Sequence, residues 1–160
     1  MNAVIVYASK YGTVERFAGE LKEAFGQGCE THNLRESKNV DISSFDVVFV
    51  GGSIYAGRIQ NEVQQFCTRH QSELLEKHVG LFISCLYEGE DADRQLVASF
   101  PDWLFAHAFG TYIIGGEVRP AQLRLLDSIL MKTFLHVRED IVKRRPEVLK
   151  AMVEDARQLV

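Results

Sequence analysis

The chain has no excess of positive charge: 18 Lys and Arg stand against 22 Asp and Glu, a formal net charge of -4. Without a basic field there is no electrostatic means of holding a polyanion, so nucleic acid is not expected as a partner, despite the local run Lys143-Arg144-Arg145. Cysteine is scarce and odd in number. Cys29, Cys67 and Cys85 lie far apart with no C-x-x-C pair, which argues against a disulfide framework or a zinc site and fits a reducing cytoplasm. No apolar run reaches the roughly 18 residues of a membrane span, and no basic leader with a cleavage site precedes the first apolar segment. A G-x-G-x-x-G turn is missing after that segment, which removes a resident nicotinamide dinucleotide while leaving reduced nicotinamide open as a diffusing donor. The histidines His32, His70, His78, His107 and His136 have no metal spacing and no Cys or Ser partner for a hydrolytic triad.

What is present is an ordinary soluble composition, 46% hydrophobic and 25% charged over 160 residues, the size of a single domain spanning residues 1–160. Apolar strands are expected at Ala3–Ala8, around Cys29 to Leu34, at Asp46–Gly51, at Val79–Cys85 and within Ala106 to Gly116. Helical spacing lies between them. Val14, Phe17, Ala18, Leu21 and Phe25 form one inward face, with Gly26 and Gly28 where the helix should end. Val63, Phe66, Cys67 and His70 form a second face, and Leu96, Val97 and Phe100 a third that stops at Pro101. Two further helices are expected: one from about Ala121 with Leu123, Leu126, Ile129, Leu130, Phe134 and Val137, and one from Pro146 with Leu149, Met152, Val153, Ala156 and Val160 inward. Alternating strands and helices imply a parallel sheet with right-handed crossovers, covered on both faces, with ligands at the C-terminal ends of the strands.

Two glycine-containing loops fall at such ends. Ser9-Lys10-Tyr11-Gly12-Thr13-Val14 joins the first strand to a helix, the arrangement that turns free backbone N–H groups and helix-terminal positive potential toward a phosphate. Its small residues let the backbone wrap the anion, and the Ser9 and Thr13 hydroxyls can donate. In Gly51-Gly52-Ser53-Ile54-Tyr55-Ala56-Gly57, after the third strand, glycine permits close backbone approach and Tyr55 can lie against a flat ligand. Either loop alone could be a plain turn; the pair at neighbouring strand ends indicates a flavin site.

These residues resemble the flavodoxin family, whose loop after strand one reads approximately Ser/Thr-x-x-Gly-x-Ser/Thr, and more closely its menaquinone-dependent protoporphyrinogen oxidase-like branch. The resemblance covers almost the whole chain and is carried by Gly52-Ser53-Ile54-Tyr55-Ala56-Gly57, the following Glu62-Val63-Gln64-Gln65-Phe66, and Leu126-Asp127-Ser128-Ile129-Leu130-Met131-Lys132. It implies an α/β flavodoxin-like three-layer sandwich with a five-stranded parallel sheet in the order 2-1-3-4-5, and non-covalent FMN. By position, Ser9, Lys10, Tyr11, Gly12 and Thr13 would hold the phosphate, with Val14 in the last motif position, where the family usually has a hydroxyl residue. Ser53, Ile54, Tyr55, Ala56 and Gly57 would line the ring, and Ser84, Cys85, Leu86 and Tyr87 would complete its pocket. The freedom of Gly57 would let that turn reorient toward the flavin on reduction.

The function so implied is an FMN-dependent oxidoreductase passing electrons between a reduced donor and a small acceptor or quinone. Two alternatives stand beside it: the protoporphyrinogen oxidase itself, and a flavodoxin-type carrier with no substrate of its own that docks on a redox partner protein. The acidic stretch Glu88-Gly89-Glu90-Asp91-Ala92-Asp93 would repel an anionic porphyrinogen and suits a basic partner. A flavin-free interaction module is a third reading. A receiver domain would need acidic residues where Ala8, Ser9 and Gly51 stand. Cys85 is the one thiol placed to affect redox chemistry, against the ordinary reading of a small buried hydrophobe, and Trp103 reads as packing. The run Lys143-Arg144-Arg145 reads as a solvated helix entry. Leu125, Leu126, Ile129, Leu130 and Phe134 either pack on the sheet or leave an apolar strip for a homodimer or for peripheral contact with a membrane.

Overall fold

A computed structural model describes residues 1–119 and 140–159. In chain order the elements are β1 (Ala3–Ala8), α1 (Thr13–Phe25), β2 (Cys29–Asn33), β3 (Val47–Ser53), α2 (Asn61–Arg69), α3 (Gln71–Leu74) and β4 (His78–Ser84). They continue with α4 (Gly89–Ser99), α5 (Asp102–His107), β5 (Gly110–Ile113), β6 (Gly115–Val118), β7 (Ile141–Arg144) and α6 (Pro146–Arg157). The helix expected from about Ala121 and the inward Val160 lie outside the described residues.

Five strands form one sheet in the order β2-β1-β3-β4-β5, every pairing parallel. Residues alternate between its faces. Ile5, Tyr7, Phe49 and Phe82 pack with Val14, Phe17, Ala18 and Leu21 of α1 and with Met152, Val153 and Ala156 of α6. Val4, Val6, Val48, Val50, Leu81 and Ile83 pack on the opposite face with Val63, Phe66 and Cys67 of α2, Leu96 of α4 and Leu104 of α5. Both faces of β1, β3 and β4 are therefore dry, which is why these strands read as unbroken apolar runs. Consecutive crossovers leave β1 and β3 toward opposite faces, and the loops above those two neighbouring strands diverge to leave a crevice.

Several expectations change. His70 is the residue between α2 and α3, half-buried, its ring 4.6 Å from that of Phe66 and Nδ1 3.1 Å from the Glu73 carboxylate. Val97 points to solvent. On α6, Val148 is buried while Leu149 is only half so. Strand β3 runs past Gly51 to Ser53, because Gly52 and Ser53 still pair with Ile83 and Ser84.

The largest change is at the end of the sheet. Lys143 and Arg144 are not a helix entry; they belong to β7, which pairs antiparallel with β6 as a separate two-stranded ribbon. Gly115 makes the break from β5: at a φ of +82° it adopts a conformation closed to most side chains, and a Cβ there would sit 1.8 Å from the Lys143 carbonyl oxygen.

Candidate functional site

The neighbours β1, β3 and β4 end at Ala8, Ser53 and Ser84 on one edge of the sheet. The segments that follow converge on a cleft open to solvent. Ser9, Lys10, Tyr11 and Thr13 line it from the first loop, Ser53, Ile54 and Tyr55 from the second, and Ser84, Cys85 and Leu86 from the third. A fourth wall, absent from the sequence reading, comes from Gly116, Glu117 and Val118 of β6.

The first loop enters α1 through Gly12 at a φ of +85°, and the Gly12 N–H donates to Ser9 Oγ at 3.1 Å. No side chain caps α1, so its first-turn N–H groups open toward the loop with Thr13 among them. Val14 stands apart. Its side chain is fully buried in the core with Phe17 and Leu21, which leaves its backbone alone on the loop side.

The second loop closes as a tight turn, with Tyr55 N–H donating to the Arg58 carbonyl at 2.9 Å and Arg58 N–H to the Tyr55 carbonyl at 3.1 Å. Ala56 at φ 49° and Gly57 at φ 76° occupy the two positive-φ positions, as in a type I′ hairpin turn. Both are exposed beyond the cleft wall. Below the turn Gln60 acts as a brace: its Oε1 accepts from Ser53 N–H at 3.0 Å, and its amide donates to Ser53 Oγ at 2.5 Å.

Ile54 N–H donates to the Ser84 carbonyl at 2.7 Å, which ties the second loop to the third. Burial pushes the Cys85 thiol above its usual pKa, and Sγ points at the Tyr87 carbonyl oxygen at 3.6 Å. The sulfur is therefore a neutral thiol at neutral pH. Tyr87 is exposed and lines a neighbouring cavity, open to solvent, between the start of α4 and Lys143, Arg144 and Arg145, that also reaches Cys85.

Glu117, in the fourth wall, is held by two arginines. Arg16 reaches it as a fork, Nη2 to Oε2 at 2.8 Å and Nη1 to Oε1 at 3.3 Å, and Arg144 Nε donates to Oε1 at 2.6 Å. Its burial acts to raise the pKa, but the hydrogen bonds and charges of Arg144 and Arg16 outweigh that and hold the carboxyl below the usual range. No local pattern could have found it, since Arg16 and Glu117 are 101 positions apart.

Among the described residues no group of His, Cys, Asp and Glu could hold a metal ion, and no helix is long and apolar enough to cross a membrane. Trp103 packs against the core and does not line the cleft. The apolar strip Leu125, Leu126, Ile129, Leu130 and Phe134 lies outside the described residues.

The chain belongs to the flavodoxin domain family, which matches residues 4–143. The two-electron reduced flavodoxin of Megasphaera elsdenii is 27% identical, over 69% of this chain and 84% of that one, at a TM-score of 0.55. The flavodoxin of Streptococcus pneumonia TIGR4 matches all of both chains at 15% identity and a TM-score of 0.54. The flavodiiron protein of Giardia intestinalis superposes at a TM-score of 0.57 with 12% identity, over 99% of this chain but 35% of its own. What these last two share with the chain is the fold. No curated protein matches it.

Proposed function

We propose that this flavodoxin-domain chain binds FMN non-covalently in the cleft above β1, β3 and β4, and passes electrons between a reduced donor and a quinone or other small acceptor. The observation that carries the reading is the polarity of the cleft. One part has the uncapped start of α1 with the Ser9 and Thr13 hydroxyls, fit for a phosphate, and another has Tyr55 with apolar Ile54 and Leu86, fit for a ring. The flavin when bound supplies the electron-transfer chemistry.

The chain's own residues bind and enclose. Ser9, Lys10, Tyr11, Gly12 and Thr13, with the backbone of Val14, hold the phosphate. Ser53, Ile54 and Tyr55 cover the ring from one side and Ser84, Cys85 and Leu86 from the other, while Ala56 and Gly57 form the exposed turn beyond them and Tyr87 stands over the neighbouring cavity. The free, buried cysteines suit a reducing cytoplasm. Titration with FMN, followed by absorbance and by quenching of flavin fluorescence, tests the reading. Saturable quenching, then reoxidation of the reduced protein by a soluble quinone without added protein, supports it, and no binding overturns it.

An electron carrier is the second reading, favoured by the exposed carboxylates of Glu88, Glu90 and Asp91 beside Tyr87. Reoxidation only by a basic partner protein would select it. Menaquinone-dependent oxidation of an anionic porphyrinogen is favoured by the opposite wall of the same cavity, Lys143 to Arg145. Turnover of that substrate would select it.

A further inference from the structure

We propose that Glu117 is a positioning residue: its ion pair with Arg16 clasps the β6–β7 ribbon across the cofactor cleft and sets how long a bound flavin stays. The inference rests on the FMN reading of the cleft.

The ribbon lies outside the five-stranded sheet and, among the described residues, is not paired to it; its short chain links to β5 and α6, the packing of Val118 and Ile141 with Tyr55 and Leu86, and a few polar contacts decide where it sits. At one end it is fastened to the loop after β4. Cys85 N–H donates to the Gly115 carbonyl at 3.1 Å, and Gly116 packs so closely that a Cβ would stand 2.6 Å from the Cys85 carbonyl oxygen. The other fastening is electrostatic. Arg16 lies in the first turn of α1, three residues after Thr13 of the phosphate loop, and grips both Glu117 oxygens.

Between these two fastenings Gly116, Glu117 and Val118 form a wall of the cleft. The Arg144 contact does not replace the clasp, because β7 and β6 are the two strands of the ribbon itself. The Glu117 side chain is 5% exposed and that of Arg16 40%, so the pair is sheltered on the carboxylate side and stronger than a fully solvated one. Arg119 stands further off, 4.0 Å from Glu117 Oε2, and does not grip it.

The competing role for Glu117 is direct repulsion of the flavin phosphate, and the two roles differ in sign. Under the clasp, Glu117→Gln frees the ribbon, so FMN and phosphate-free riboflavin both dissociate faster, by about three- to tenfold. Under direct repulsion, the same variant would hold FMN more tightly and leave riboflavin unchanged. Stopped-flow dissociation of both flavins, with amide exchange at Val118 and Val142 in the flavin-free protein, separates them. Arg16→Ala should reproduce the faster exchange, the double variant should add little to either single one, and Arg16→Lys should fall between, which also covers poor folding of Glu117→Gln. Unchanged exchange and unchanged dissociation in folded variants, or an effect on FMN alone, overturn the clasp. If the wild type binds neither flavin, the FMN reading and the residence role fall, while the exchange data still decide whether the ion pair holds the ribbon.

Discussion

Lys10 Nζ stands 3.7 Å from the centre of the Tyr55 ring and 5.5 Å from that of Tyr11, so the first and second loops meet through a cation on an aromatic face. This contact joins the part of the cleft suited to a phosphate to the part suited to a ring. Lys10→Met should weaken FMN binding by about 0.5–2 kcal/mol. The loss should shrink at high salt for FMN and be smaller throughout for riboflavin, which fluorescence titrations at two ionic strengths would show.

Gln60 satisfies both Ser53 N–H and Ser53 Oγ from beneath the second loop. Gln60→Leu should cost about 1–3 kcal/mol in denaturant unfolding, the penalty for part-buried polar groups left without partners. Gln60→Glu keeps the acceptor for the N–H and should cost less. Gly52→Ala should act through the same contact, because its Cβ would sit 2.5 Å from Gln60 Oε1.

At Gly57 a Cβ would meet nothing within 4 Å, and the obstacle is the backbone at φ +76°. Gly57→Ala should therefore destabilise by about 1–2 kcal/mol without disturbing the packing. It should also shift the midpoint potentials of bound flavin, since a stiffened turn reorients less readily on reduction. Unchanged potentials in a spectroelectrochemical titration would show that the turn stays still.

Burial pushes the Cys67 thiol from 9.0 up to about 12 and the Tyr7 phenol from 10.0 up to about 12. Both groups ionise first in the unfolded chain, so their contribution to stability is complete below pH 9 and is lost as the pH rises toward 12. Unfolding midpoints measured across that range should fall, and Cys67→Ala should flatten the lower part of the decline.

Glu117 has the opposite sign. With its folded pKa held low, its stabilisation is present above the ordinary carboxylate value of about 4.3 and is lost as the pH falls through the folded one. Acid titration of ribbon amide exchange should show that loss in the wild type and not in Glu117→Gln.

Much of this protein could be read from local pattern. The apolar run at Ala3–Ala8 matches β1, and that at Val79–Cys85 overlaps β4 with a shift of one residue at each end, because both faces of the sheet are covered and buried strands need no polar alternation. Ser9, Thr13, Ser53 and Tyr55 stand on one cleft because the ends of parallel strands in one sheet share an edge. Their chemistry was visible because a strand-to-helix turn declares itself over six residues.

Other features had no local signal. Val14 looked like a failed hydroxyl position in the phosphate loop, yet only packing reveals that its side chain belongs to the core beside Phe17 and Leu21. Lys143 and Arg144 looked like a solvated charge run because a four-residue strand with one half-buried residue shows no alternation; its partner strand, β6, begins with two glycines.

The sequence by itself determined the order of the five sheet strands and the two glycine loops, since each depends on residue type and short-range spacing. Tertiary structure alone decided the fourth wall of the cleft, the Gln60 brace and the grip of Arg16 on Glu117. Those contacts join segments whose meeting is dictated by how the chain closes on itself, and a carboxylate cannot show which distant arginine it will find until the sheet has set the distance between them.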